Sequence, residues 1–453
     1  MNNLPTILRM LSALRRSRLQ EKWTREEIET YQSRQLAVIR TYAYQHSPFY
    51  QRFHAGQYDK PLSELPILTK QEMMGAFDEF VTDRRIRLAE VQQRLSQPTD
   101  GFYLNRYFIN ATSGSTGSPG IFLFNLQEWA VVLASFTRAY EFAGIHIDLA
   151  HHRKVAIVSS VTPFHMSYLV GSSLRSPWVS SLRLSAIEPV SKIVSQLNDW
   201  QPDTLVAYAS MARVLAVEQI AGRLQIQPQR VFTSSEVLTE ETRRLVELAW
   251  GKILFNQYGA TETGDIASEC ERHLGMHLFE DLLIVENVDK DNKPVPIGSY
   301  GEKLLVTVLF NRTQPLIRYQ LSDSIRLSDR LCECGRTLRL VDGIQGRQED
   351  VLDFLEADGN VVSVHPNVFH QVMDTVSATG WQVIQDETNG IQLLISGASP
   401  NSMVATQLQD TLRRALGDLG VSVSTIQVEW VDSIPRTSNG KAPLIVSRPN
   451  HHT

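Results

Sequence analysis

The sequence predicts an α/β fold: a large multi-sheet N-terminal domain, residues 1–345, followed by a small α+β C-terminal domain, residues 346–453. Three observations carry this expectation. A chain of 453 residues exceeds what one hydrophobic core usually serves. Short apolar runs alternate with stretches of helical periodicity through the first half. Beyond residue 280 the pattern shifts to short β runs parted by turn residues, and past Arg347 it becomes a self-contained mixture of normal domain size.

Each element has its own signal. Ile7, Leu11 and Leu14 beside Arg15, Arg16 and Arg18 read as a solvated surface helix, because acidic residues follow at once and no signal-type cleavage site appears. Thr24 and Glu27 have the spacing of a capping box, and helical polarity continues to about Tyr44, so the first sixty residues are expected to be largely helical. Lys154–Ser159 predicts a buried strand, Ser210–Gly222 a helix, Arg230–Thr233 a strand, Thr239–Trp250 a helix and Ile253–Asn256 another strand. LLIVENVD and KLLVTVLF, separated by KDNKPVPIGSYG, predict an antiparallel meander between Asp281 and Phe310. The C-terminal part is expected to hold a helix around Val368–Asp374, strands at WQVIQ and IQLLIS, a helix over Ser402–Leu416 and a strand over Val421–Trp430.

Composition narrows the function. Lys plus Arg at 44 against Asp plus Glu at 49 leave a net charge of −5, which argues against nucleic acid or a membrane surface as partner and for small molecules. No run of 18 apolar residues is present, so no membrane span is expected. Three cysteines are too few for a disulfide framework and fit a cytoplasmic, reducing compartment.

Two segments carry phosphate and metal chemistry on their own residues. In ATSGSTGSPG (Ala111–Gly120), glycines allow close backbone approach, while successive N–H groups and hydroxyls form an anion nest suited to polyphosphate. The Walker pattern is absent, which disfavours an ordinary P-loop fold. NQYGATETG (Asn256–Gly264) follows a buried strand, where α/β sheets place ligands. There Tyr258 offers a face for a base, Thr261 a hydroxyl for phosphate and Glu262 a carboxylate for Mg²⁺.

Three further segments, PLIRYQLSD (Pro315–Asp323), GRQED (Gly346–Asp350) and PRTSNGK (Pro435–Lys441), each put charge on a turn and singly read as surface loops. Taken in order with the first two, the set resembles the adenylate-forming superfamily of acyl-CoA synthetases, most closely its phenylacetate-CoA ligase and capsule-biosynthesis branch, from about Pro61 to Lys441. The resemblance implies an adenylation domain followed by a mobile C-terminal domain. It makes Thr112, Ser113, Gly114, Ser115, Thr116 and Gly117 the phosphate loop, and Tyr258, Gly259, Thr261 and Glu262 the adenine and Mg²⁺ segment. Asp323 is implied to bind the ribose hydroxyls, Arg347 to make a second ribose or phosphate contact, Glu349 to be the hinge and Lys441 to reach the α-phosphate during adenylation. The implied chemistry is attack of a carboxylate on ATP to give acyl-AMP and pyrophosphate, then transfer to coenzyme A.

Two departures qualify the resemblance. Ser118 and Gly120 stand where many relatives carry a lysine, so the loop supplies no point charge. After the hinge, VLDFLEADGNVVSVHPNVF brings a hairpin-like DGN where many CoA ligases have a compact glycine turn, which opens the acceptor to an amine, a hydroxyl or a carrier-protein thiol, as in secondary metabolism. A non-catalytic nucleotide-binding relative is the alternative of another class, and retention of Glu262 and Lys441 speaks against it.

VTPFHMSYLVG resembles the aromatic and histidine segment lining the acyl site and nominates Phe164 and His165; Tyr208, Ser210, Ser235 and Glu236 are expected to form other walls. Aromatic walls favour an aryl or arylacetyl acid. The oligomeric state stays open, a homodimer among the options. Cys270, with His273 and His277, and then Cys332 and Cys334 offer sulfur and imidazole donors suited to tetrahedral Zn²⁺. The resemblance selects Cys270, His277, Cys332 and Cys334 as a structural zinc site.

Overall fold

The Thr24 side chain accepts the Glu27 N–H and the Glu27 carboxylate accepts the Thr24 N–H, so the capping box read from sequence starts the helix Arg25–His46 in the computed structural model of the protein. The structure describes residues 4–97, 102–112, 119–146, 152–173, 178–347, 350–356, 360–364, 366–373, 376, 378–386, 388–437 and 439–447, with Leu4, Arg347, Asn367 and Gln371 by backbone only. The chain divides into two compact units. One comprises Met1–His152, Val161–Ser180 and Phe255–Gly343, and the other Arg153–Ser160, Ser181–Leu254 and Ile344–Thr453.

The first unit opens with the helices Leu4–Gln20, Arg25–His46 and Pro48–Phe53. A hairpin follows, Tyr107–Ala111 against Ile121–Asn125, whose inward Tyr107, Ile109, Ile121 and Leu123 pack with Phe77, Val81 and Val91. The helix Leu126–Phe142 is buried along most of its length and carries Arg138, which has no exposed surface. That guanidinium donates to Glu21 at 3.0 Å and Asp281 at 2.7 Å and lies 4.6 Å from the Phe279 ring centre, so the charge is matched rather than merely enclosed. The strands Leu283–Val288, Lys303–Val308 and Tyr319–Leu321 form the antiparallel meander that the turn-rich pattern predicts. The strands Asp323–Ser328, Leu340–Arg347, Met276–Leu278, Gly264–Glu269 and Leu254–Ala260 lie side by side in that order.

In the second unit, Thr204–Tyr208 runs parallel between Arg153–Ser159 and Arg230–Ser234. The helices Val190–Trp200, Ala209–Ile220 and Glu240–Trp250 bury Ile193, Leu197, Met211, Leu215 and Val246 with Leu205 and Val231. Full burial of such side chains contributes about 1.5–3 kcal/mol each. The C-terminal segment contributes a four-stranded sheet in the order Ile426–Val431, Ile391–Ser396, Gly380–Gln385, Ile445–Ser447. Its central pair is antiparallel and its two flanking pairs parallel. Leu408, Leu412 and Leu416, one turn apart on the helix Ser402–Gly417, close the same core as Trp381, Val383 and Leu393.

Two sequence expectations shift. The strand expected over Val421–Trp430 starts at Ile426, because Val421 donates to the Leu416 carbonyl behind Gly420, whose φ is +83°, and so finishes the preceding helix. The strand expected over Ile253–Asn256 runs from Leu254 to Ala260 and turns directly into Gly264–Glu269, so the YGATE segment is a hairpin rather than a loop. Among the described residues, no helix is long and apolar enough to cross a membrane.

Candidate active site and candidate metal centre

The stem of the implied phosphate loop is closed by its own polar groups. Thr112 donates its N–H to the Gly120 carbonyl at 2.9 Å, and the Gly120 N–H donates to the Thr112 hydroxyl at 2.8 Å. Ser113, Gly114, Ser115, Thr116, Gly117 and Ser118 lie outside the described residues. The Ala111 N–H donates to the Phe164 carbonyl at 2.9 Å, so the segment nominated for the acyl site borders the loop stem. Phe164 adopts φ +72°, and its ring packs on the apolar cluster of Phe77, Ile109 and Ile121. His165 is half-buried at the start of the helix Met166–Ser173.

Across the YGATE hairpin Ala260 pairs with Gly264 and Gly259 with Asp265, which leaves Thr261, Glu262 and Thr263 at the tip. A side chain at Gly259 would meet the Asp265 carboxylate and the Gly264 carbonyl at 2.9 Å, so the close approach requires glycine. Tyr258 and Glu262 are both buried, which sets Glu262 apart from an ordinary solvated surface carboxylate. Sequence reasoning missed Tyr319. Its hydroxyl is raised above its ordinary value by burial and then by the neighbouring Glu262 charge, and its ring meets Phe122 of the loop stem edge-on at 6.1 Å. Tyr319 thus lies between the two motifs, and its place inside PLIRYQLSD was the available signal. In that segment Arg318 ion-pairs with Glu286 at 3.1 Å and donates to the Leu65 carbonyl at 2.5 Å, a structural employment. Asp323 begins the strand Asp323–Ser328 and is half-buried. Arg347 ends the strand Leu340–Arg347, and Glu349 lies outside the described residues.

In the second unit, Tyr208, Ser210 and Glu236 surround the PRTSNGK loop. Tyr208 ends its strand, accepts the Ser160 N–H at 2.9 Å and donates to the Asn439 carbonyl at 3.4 Å. The Glu236 carboxylate accepts the Ser210 N–H at 2.8 Å and the Ala442 N–H at 2.9 Å. Arg436 donates from one nitrogen to the Ser210 hydroxyl at 3.2 Å and the Gly440 carbonyl at 2.8 Å, and burial lowers its pKa. The Lys441 ammonium lies 5.9 Å from the Tyr208 ring centre.

The cysteine cluster assembles from two distant segments of the first unit. The donor atoms of Cys270, His277, Cys332 and Cys334 all lie within 4.8 Å of one another. Cys270 and Cys332 sulfurs are 3.7 Å apart, and Cys334 sulfur is 3.3 Å from His277 Nε2. A tetrahedral ion with bonds of roughly 2.3 Å to sulfur holds its sulfurs about 3.8 Å apart, so the donor set fits. Burial pushes His277 down to about 4, which keeps the imidazole neutral and able to ligate. Burial pushes Cys270 up to about 12, whereas at Cys334 the opposing burial is outweighed by the Arg336 N–H and guanidinium, and the thiol falls below its usual value. His273 instead faces Glu269 at 3.4 Å.

The chain is similar to known proteins in both sequence and fold. Residues 354–448 match the CapK C-terminal domain. The chain is 26% identical to a phenylacetate-coenzyme A ligase of Thermus thermophilus over 356 residues, 73% of each chain. It is 22% identical to Protein CapK of Staphylococcus aureus over 401 residues, 85% of this chain and 80% of the other. A crystal structure of 2-hydroxyisobutyryl-CoA ligase in complex with 2-HIB-AMP superposes with a TM-score of 0.71 at 19% identity, covering 94% of this chain and 91% of that one, a likeness of fold. These matches support the adenylate-forming superfamily for the chain, with a CapK C-terminal domain over residues 354–448.

Proposed function

We propose that the protein uses ATP to convert a carboxylic acid, of aryl or arylacetyl type, to an acyl-adenylate and pyrophosphate, and then transfers the acyl group to the thiol of coenzyme A. The observation that carries this reading is the buried Glu262 at a hairpin tip, linked through Tyr319 and Phe122 to the stem of a hydroxyl- and glycine-rich loop. A carboxylate held there suits the Mg²⁺ that accompanies ATP, a hard cation that prefers carboxylate and phosphate oxygens. Asp323 would hold the ribose hydroxyls and Tyr258 the base, with Arg347 adding a ribose or phosphate contact. Lys441 would offset the charge that builds on the α-phosphate oxygens as the acid attacks.

The named relatives support the acid and the acceptor. One is called a phenylacetate-coenzyme A ligase, and the superposed ligase holds an acyl-AMP. A second acceptor reading has its own observation: after the implied hinge, Leu352–Leu355 and Val361–Val364 form an antiparallel hairpin, where many CoA ligases have a glycine turn. An amine, a hydroxyl or a carrier-protein thiol then receives the acyl group. We also assign the Cys270, His277, Cys332 and Cys334 cluster to a structural Zn²⁺ that pins loops and takes no part in the reaction. The chemistry is tested by incubating the protein with ATP, Mg²⁺ and an acid panel, alone and with CoA, a carrier protein or an amine. Mass spectrometry should find AMP with an acyl-CoA; ADP and phosphate in place of AMP would contradict adenylation, and an acyl-amine or acyl-carrier product would favour the second acceptor.

A further inference from the structure

The lysine-bearing loop is held from outside its own motif by Glu236 as well as from within it by Arg436. After the strand Arg230–Ser234, Ser235 takes φ +69°, a conformation uncommon outside glycine, and this turn presents Glu236. One oxygen of Glu236 accepts the N–H of Ser210 in the first turn of the helix Ala209–Ile220, which has no side-chain cap of its own. The other oxygen accepts the N–H of Ala442, the residue after Lys441. Arg436 repeats the same bridge in the other direction, from the Ser210 hydroxyl to the Gly440 carbonyl. Gly440 lies so close to Ala186 that an added Cβ would sit 2.8 Å from the alanine methyl.

We infer that Glu236 is a positioning residue for Lys441: its carboxylate latches the lysine loop to the N-terminus of the helix Ala209–Ile220, with Arg436 as the second tie. A flexible lysine on an untied loop samples many positions, and correct placement of a charged group is worth orders of magnitude in rate. Both oxygens of Glu236 have backbone N–H partners, which distinguishes a latch from an acid-pocket wall. The inference rests on the adenylation reading for its rate effects, but the latch itself is readable without turnover.

The test is Glu236→Ala in the full-length protein, with Glu236→Gln and Arg436→Met alongside. Hydrogen exchange by mass spectrometry, with no substrate added, should show peptides spanning residues 436–447 exchanging at least tenfold faster in Glu236→Ala, with the cores of both units unchanged. Acid-dependent pyrophosphate exchange should fall about 10- to 100-fold in kcat, with KM for ATP and for the acid within threefold. Transfer to CoA from synthetic phenylacetyl-adenylate should stay within twofold. Glu236→Gln, which keeps one acceptor oxygen, should fall between, and Arg436→Met should show the same split. Unchanged exchange at 436–447 would overturn the latch, as would a tenfold rise in acid KM at constant kcat or equal loss in both half-reactions. If the unaltered protein activates no acid, the adenylation reading fails while the hydrogen-exchange arm still decides the latch.

Discussion

Asp265 is a carboxyl with 1% of its surface exposed, and neither oxygen has a hydrogen-bond partner among the described residues. Burial raises its pKa well above the ordinary 3.8, so the folded protein retains a proton that the unfolded chain releases. The sign follows from linkage: stability is fullest below pH 3.8 as far as this group is concerned and declines as pH rises toward the folded value, at up to about 1.4 kcal/mol per pH unit. Asp265→Asn should therefore raise the melting temperature, with a larger gain at pH 8 than at pH 5; a pH-independent difference would show that the carboxyl is not held protonated. Arg138 gives the opposite case, a buried charge paired with Glu21 and Asp281. Arg138→Ala strips Asp281 of its cation and leaves Glu21 with Arg336 alone, and should cost about 3–5 kcal/mol in urea unfolding, more than Arg138→Met, which refills the volume. At Gly440, φ is +80° and Ala186 leaves no room for a Cβ, so Gly440→Ala should lower the adenylation rate more than tenfold, with little change in melting temperature.

Among elements, the sequence was most legible where one local rule decided the outcome. The capping box at Thr24, the short β runs and turn-rich spacer of the meander and the helix over Ser402–Leu416 each required only neighbours in sequence. The YGATE hairpin was not legible as a hairpin, since Gly259 serves a close approach to Asp265 that is invisible until the strands pair. The sequence places Tyr208, Ser210 and Glu236 as pocket walls, whereas their hydrogen bonds to the lysine loop link positions more than two hundred residues apart, which no periodicity reports. The metal cluster was legible as a donor set, and its closure depends on the Met276–Leu278 strand bringing His277 to Cys334. Metal analysis of purified protein should find about one zinc per chain. Cys332→Ser should lose the metal and lower the melting temperature while leaving KM for ATP unchanged, whereas full stability without zinc would remove the assignment.

For the whole molecule, two buried histidines outside the cysteine cluster add to the response to acid. Burial pushes both His54 and His370 down to about 4, so the unfolded chain binds their protons from about pH 6.5 and the folded protein does not. Stability should fall progressively as pH drops from about 6.5 to about 4, at up to about 1.4 kcal/mol per pH unit for each group. A His370→Phe variant should flatten that slope in urea melts, and an unaltered slope would show that the residue is not buried neutral. The central claim, that the protein activates a carboxylic acid, is tested most directly by exchange of labelled pyrophosphate into ATP across benzoic, arylacetic, amino and short aliphatic acids. The account predicts exchange that depends on one class of acid, with aryl or arylacetyl acids leading, and that falls at least a hundredfold in Lys441→Ala. ATP binding without exchange for any acid, or exchange that survives loss of Lys441, would contradict it.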